Sequence, residues 1–165
     1  MAQQGSAPPR SRLRLWLGLI GLASTLLVVL LATLWPTPLD QGYEGAVNRF
    51  MSVLYRSGVP LWFGYNKLEF TANIIMFVPI GFLVSLLLPQ RIWWLAIIIC
   101  PAFSVGIEMT QATFLSARFA TPLDVASNSI GALIGITVAM ILRSLVYQRD
   151  QLIISRALWE RGLRP

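Results

Sequence analysis

Ser104-Val105-Gly106-Ile107-Glu108-Met109-Thr110-Gln111 occupies the C-terminal half of an apolar run at residues 92–115. That run has the roughly 20 residues a helix needs to cross hydrocarbon. Glu108 is the only carboxylate of the chain set well inside an apolar run, and Gln111 follows it three positions later on the same helical face. An ionisable group at membrane depth costs a few kcal/mol on insertion scales, so it faces a protein interior or a wet cavity. The stretch therefore reads as one wall of a membrane bundle that carries a polar site on its inner face.

Three more runs of spanning length flank it, at about 13–35, 70–88 and 125–147. Hydrophobic residues make up 56% of the 165 positions and charged ones 12%, and mean hydropathy is +0.67. Such a composition lies outside the range of soluble domains. The fold class expected is all-α: a polytopic membrane protein with four transmembrane helices, an outer interfacial helix and a cytoplasmic amphipathic C-terminal helix. One bundle, residues 13–147, stands between a short N-terminal tail, 1–12, and a basic tail, 148–165. The chain has no His and a single Cys, Cys100, in mid-segment. Disulfides, CxxC metal sites and triads with a His base are thereby excluded, and neither a metal nor another cofactor is expected. The net charge of +6 belongs to topology rather than to nucleic acid, since Lys and Arg gather on the cytoplasmic side of membrane proteins.

In chain order, Arg10, Arg12 and Arg14 stand at the start of the first run as they would in a signal peptide. The run is too long for that, and no small-x-small cleavage site follows, so an uncleaved first helix closed by Trp35-Pro36 is expected. The loop 36–66 contains an amphipathic pattern, Ala46, Val47, Phe50, Met51 and Leu54, stopped by Gly58. Trp62, Phe63 and Tyr65 follow with the aromatic character of a membrane interface. Asn66 with Glu69 predicts an N-cap for the second span, which carries Pro79 and Gly81. The short Pro89-Gln90-Arg91 connection makes spans two and three antiparallel neighbours. Thr121-Pro122-Leu123-Asp124 fits a capping box, and Gly131 and Gly135 form a small face suited to close packing. In the tail, Leu152, Ile153, Ala157 and Leu158 accompany Arg149, Arg156, Arg161 and Arg164 as a separate basic helix on the cytoplasmic leaflet. Nine of the Lys and Arg residues fall on the side of the termini and four on the other, which puts both termini in the cytoplasm.

With that topology, Asn73, Glu108, Gln111, Asp124 and Asn128 all sit in the outer half of the membrane. Glu108 should lie roughly 10 Å below the end of its helix, with Arg118 in the loop just above. These six residues form the candidate ligand-binding set. A weak internal repeat, Glu69-x-x-x-Asn73 and Asp124-x-x-x-Asn128, groups spans two and four. Plainer duties exist for each: Glu69 and Asp124 as capping residues, Asn73 and Asn128 as interhelical glue, and Glu108 with Arg118 as a structural ion pair.

Asn73-Ile74-Ile75-Met76-Phe77-Val78-Pro79-Ile80-Gly81, then Glu108-x-x-Gln111, Arg118, and Asp124-Val125-Ala126-Ser127-Asn128 with Gly131 and Gly135, resemble the VanZ-like membrane protein family. The family often has an acid three residues after the Arg, where this chain has Thr121. The resemblance implies a multi-pass protein of the bacterial cell membrane, and its founding member is associated with resistance to teicoplanin-type glycopeptides. No established reaction comes with it. Three functions fit the residues. The first is a non-catalytic protein binding an amphiphile, such as a lipid, a lipid-linked envelope precursor or a lipoglycopeptide antibiotic, in an outer polar pocket. The second is an intramembrane enzyme with Glu108 as general acid or base. The third is an ion-coupled carrier, for which four spans are few unless the chain forms a homo-oligomer.

Overall fold

The computed structural model describes residues 12–34, 44–115 and 121–162. The expected closure at Trp35-Pro36 and the candidate Arg118 lie outside these residues. In hydrocarbon no water satisfies a backbone N–H or C=O, and a spanning segment is driven into helix. Five α-helices result: α1 (Arg12–Leu34), α2 (Glu44–Arg56), α3 (Tyr65–Leu87), α4 (Ala96–Phe114) and α5 (Pro122–Glu160), with a 3-10 turn at Trp93–Leu95 leading into α4. Among them α1, α3, α4 with its leading turn, and α5 are long and apolar enough to cross a membrane. Hydroxyls are hidden by the same logic. Thr25, Thr33, Thr110 and Thr137 each donate to the carbonyl four residues back, at 2.7–2.9 Å.

The C-terminal ends of α1 and α4 meet the N-terminal ends of α3 and α5 at one end of the bundle, where Gln111 reaches Thr33 and Asn73 reaches Asp124. At the opposite end Arg143 of α5 meets the last turn of α3. The spans therefore alternate in direction, and α3 and α5 are parallel. Val29, Phe77, Ile80, Cys100, Ile107 and Ala132 form the buried core. Phe77 and Phe103 pack there with ring centroids 6.2 Å apart.

The closest pairing is α3 with α5. A Cβ at Gly81 would strike the carbonyl of Ala132, one at Gly131 that of Ile74, and one at Gly135 that of Val78. Hydrogens at these three positions instead point at carbonyl oxygens, which is the geometry of weak Cα–H···O contacts. Gly131 and Gly135 thus form the close-packing face expected of them. Arg143 then fastens the far end, its Nη2 donating to the carbonyls of Leu86 at 2.9 Å and Leu88 at 2.8 Å. Those carbonyls belong to the last turn and cap of α3, where helix partners run out and a cation complements the macrodipole.

Two expectations need correcting. Asn66 is not a cap: α3 starts at Tyr65, with Gly64 in the cap position and no side-chain cap bond. Glu69 therefore has no capping-box role. The tail is not a separate helix, because α5 continues without a break for 39 residues, about 58 Å. No Gly or Pro lies between Gly135 and Gly162 to interrupt it. As the short connection implied, α3 and α4 are antiparallel neighbours, while the closest pairing is the glycine-mediated one of α3 with α5.

Gly135→Ala is expected to lower the melting temperature in detergent, at a cost of about 1–3 kcal/mol, because backbone has to move to admit the methyl. Gly106→Ala is the control. Nothing lies within 4 Å of that site, so relief of helical glycine should stabilise by about 0.5–1 kcal/mol. Equal melting of the two variants would contradict the α3–α5 packing.

Candidate functional site

Glu108 is 9% exposed and Asn128 3%, so both require partners inside the protein. The segment after α4 returns at Thr121, the N-cap of α5, with Pro122 at the first helical position. A helix start leaves its first N–H groups unpaired, and its macrodipole makes that end positive. Carboxylates collect there. The Thr121 N–H donates to Glu108 Oε2 at 3.1 Å. The Thr121 hydroxyl donates to Asp124 Oδ2 at 2.7 Å and accepts from the Asp124 N–H at 3.3 Å. The other Asp124 oxygen, Oδ1, accepts from Asn73 Nδ2 at 2.8 Å.

The capping box expected at residues 121–124 is therefore present in altered form. Asp124 takes the hydroxyl of Thr121 instead of its N–H, because Glu108 from α4 occupies that N–H. Thr121 joins the two carboxylates, and Asn73 ties the pair to α3. Three helices meet at the Thr121–Asp124 pair.

Gln111 lies one turn from Glu108 but turns towards α1, donating from Nε2 to the Thr33 carbonyl at 2.8 Å. That carbonyl belongs to the last described turn of α1 and takes no helical N–H among the described residues. One turn below Glu108, Asn128 Nδ2 donates to Ser104 Oγ at 2.9 Å. Asn128 Oδ1 is buried and meets no donor among the described residues. A buried acceptor left so costs about 1–3 kcal/mol. Asn128 is thus the member of the set with hydrogen-bonding capacity to spare.

Five of the six candidate residues are brought to one end of the bundle in this way, and Arg118 lies outside the described residues. Sequence reasoning missed Ser104 and the Thr33 carbonyl. Ser104 had a signal, since it stands four residues before Glu108 on the same face. Thr33 contributes only backbone, and no side-chain pattern marks it.

Between α4 and the start of α5 lies an open cleft of about 430 Å³, lined by Glu108, Met109, Ala112, Thr121, Pro122 and Val125. Its walls are mostly apolar, and its polar end carries Glu108 and Thr121. Among the described residues, no group of three or more His, Cys, Asp and Glu side chains is placed to hold a metal.

Four membrane-spanning helices with a buried polar cluster at one bundle end define a multi-pass α-helical membrane protein. The sequence model of the VanZ/LLP1 family matches residues 21–143, and the chain belongs to that family. The matched range holds all six candidate residues and both packing glycines of α5. No curated protein and no solved structure matches the chain.

A double-mutant cycle on Asn73→Ala and Asp124→Ala should give a coupling energy of about 0.5–2 kcal/mol in detergent unfolding. Thr121→Ala should cost about 1 kcal/mol through the lost cap. Additive effects of Asn73→Ala and Asp124→Ala would show that the α3–α5 bond carries no stability.

Proposed function

We propose that this protein binds an amphiphile in the cleft between α4 and α5, as a non-catalytic protein of the bacterial cell membrane. The observation that carries the reading is the cleft itself, with apolar walls from Met109, Ala112, Pro122 and Val125 and a polar end at Glu108 and Thr121. Ligand sites of this size are typically apolar with a few converging polar groups. A headgroup would meet Glu108 and Thr121, and an acyl or prenyl chain would follow the wall towards the exposed Met109.

In this reading both termini are cytoplasmic and the cleft faces the outer leaflet, because nine of the thirteen basic residues fall on the side of the termini. α2 then lies in the interface of the same outer leaflet. Family membership favours an envelope context, in which lipids, lipid-linked precursors and lipoglycopeptide antibiotics share the required chemistry. An effect on teicoplanin susceptibility would follow from capture of such a molecule.

The lipid extract of the purified protein tests the reading by mass spectrometry. A defined amphiphile is expected with the wild type and a several-fold smaller amount with Glu108→Gln at equal abundance. Identical lipid profiles would overturn it. Orientation is checked by labelling Ser52→Cys and Ser155→Cys in a Cys100→Ala background on intact cells. Position 52 should react from outside and position 155 should not; the reverse pattern would move the cleft to the cytoplasmic leaflet.

A further inference from the structure

α2 and the turn that follows stand apart from the core, at the cleft end of the bundle between the exit of α1 and the start of α3. Among its described residues only Met51 is buried. At 3.6 residues per turn, Val47, Leu54 and Met51 share the side turned to protein. Val53, Ala46 and Phe50 come next around the helix, and all three are exposed. Arg49 and Arg56 border this exposed apolar arc, seven residues apart and hence about 10 Å along the axis, and both are exposed. Ser52 lies on the opposite, polar side, its hydroxyl returned to the Asn48 carbonyl at 2.7 Å.

The turn adds a second apolar feature. Gly58 adopts a φ of 96°, which ends α2 and reverses the chain. The Tyr55 hydroxyl donates to the Phe63 carbonyl at 3.2 Å, and the Phe63 N–H donates to the Pro60 carbonyl at 2.9 Å. Closed by these bonds, the turn holds Leu61 81% exposed and Trp62 68% exposed. Lys67 Nζ sits 3.7 Å over the Trp62 ring, so a cation is fixed beside the aromatic tip. Between Gly45 and Leu68 the chain has Arg49, Arg56 and Lys67 and no acid.

An apolar arc rimmed by cations, beside an exposed Leu-Trp tip, is complementary to a bilayer with anionic headgroups. We infer that α2 and the turn dock on anionic phospholipid at the cleft end of the bundle. Phe50, Val53, Leu61 and Trp62 enter the acyl boundary, and Arg49 and Arg56 meet lipid phosphates. This rests on the interfacial position given to α2 above and adds the face, the inserted residues and the headgroup class.

Spin labels at Phe50→Cys, Val53→Cys, Leu61→Cys and Ser52→Cys, each in full-length Cys100→Ala protein, test the inference. The protein is reconstituted in phosphatidylcholine vesicles with and without phosphatidylglycerol, and accessibility to oxygen and to a water-soluble nickel chelate is read by electron paramagnetic resonance. Labels at 50, 53 and 61 should favour oxygen, the label at 52 should favour nickel, and phosphatidylglycerol should deepen the first three. Arg49→Gln with Arg56→Gln, at unchanged melting temperature, should abolish that deepening. Nickel access at 50 and 53 equal to that at 52 would overturn the interfacial reading and the inference together. Lipid contact indifferent to phosphatidylglycerol and to the arginines would overturn anionic recognition alone. Spin–spin broadening at 50 or 53 would also overturn it, by showing a second copy on the arc.

Discussion

Backbone-to-backbone approach between α3 and α5 is the constraint on which the rest depends. In a membrane the lipid is as apolar as any side chain, so helices associate through packing and interhelical hydrogen bonds. Gly81, Gly131 and Gly135 let carbonyls of one helix meet Cα–H groups of the other. Three polar bonds, one at one end and two at the other, then fix the register of the parallel pair. Asn73 with Asp124 holds one end, and Arg143 with the carbonyls of Leu86 and Leu88 holds the other. Asp124 and Arg143 are about 28 Å apart along α5, close to the roughly 30 Å thickness of hydrocarbon. The polar bonds are therefore spaced by about one hydrocarbon thickness, with glycine contacts filling the interval.

The polar cluster is built from helix ends. Gln111 serves a carbonyl at the end of α1, Glu108 serves the N–H of the α5 cap, and Asp124 serves the cap hydroxyl while receiving Asn73. Two carboxylates converge on Thr121, and the positive end of α5 offsets part of their mutual repulsion. Structural duty and the proposed ligand chemistry thus share the same atoms. Glu108→Gln suits this situation because an amide oxygen can still accept the Thr121 N–H when the charge is gone. Truncation would remove the fastening of α4 to α5 as well as the charge.

Much of this was legible in the residues. Apolar length gave the spans, because hydrocarbon admits little besides helix. Thr121-Pro122 marked the start of α5, and Gly131 with Gly135 marked its packing face, since caps and glycines act locally. Glu108 declared a site because burial of a carboxylate is expensive wherever it occurs. Partner choice was harder. That Glu108 would take a backbone N–H, that Gln111 would turn to α1, and that Asn128 would choose Ser104 depends on which helix ends meet in space. The cap at Asn66 was a local rule overridden by an earlier start at Tyr65. The unbroken α5 had a readable signal, the absence of Gly and Pro after Gly135, which the basic and apolar character of the tail obscured.

The length of α5 also has a mechanical meaning. α3 and α4 each carry a proline, Pro79 and Pro101, at which the backbone hydrogen-bond ladder lacks a donor. α5 has none after its first residue, and it runs from the cap that touches Glu108 to Glu160. Beyond Arg143 it extends about 25 Å past the end of α3 without touching the core. Over its first half such a rod is braced against α3 at Asp124, at the glycine contacts and at Arg143. The remainder is a cantilever, so a deflection of about 5° at Arg143 would move its far end by about 2 Å while the cleft end stays braced.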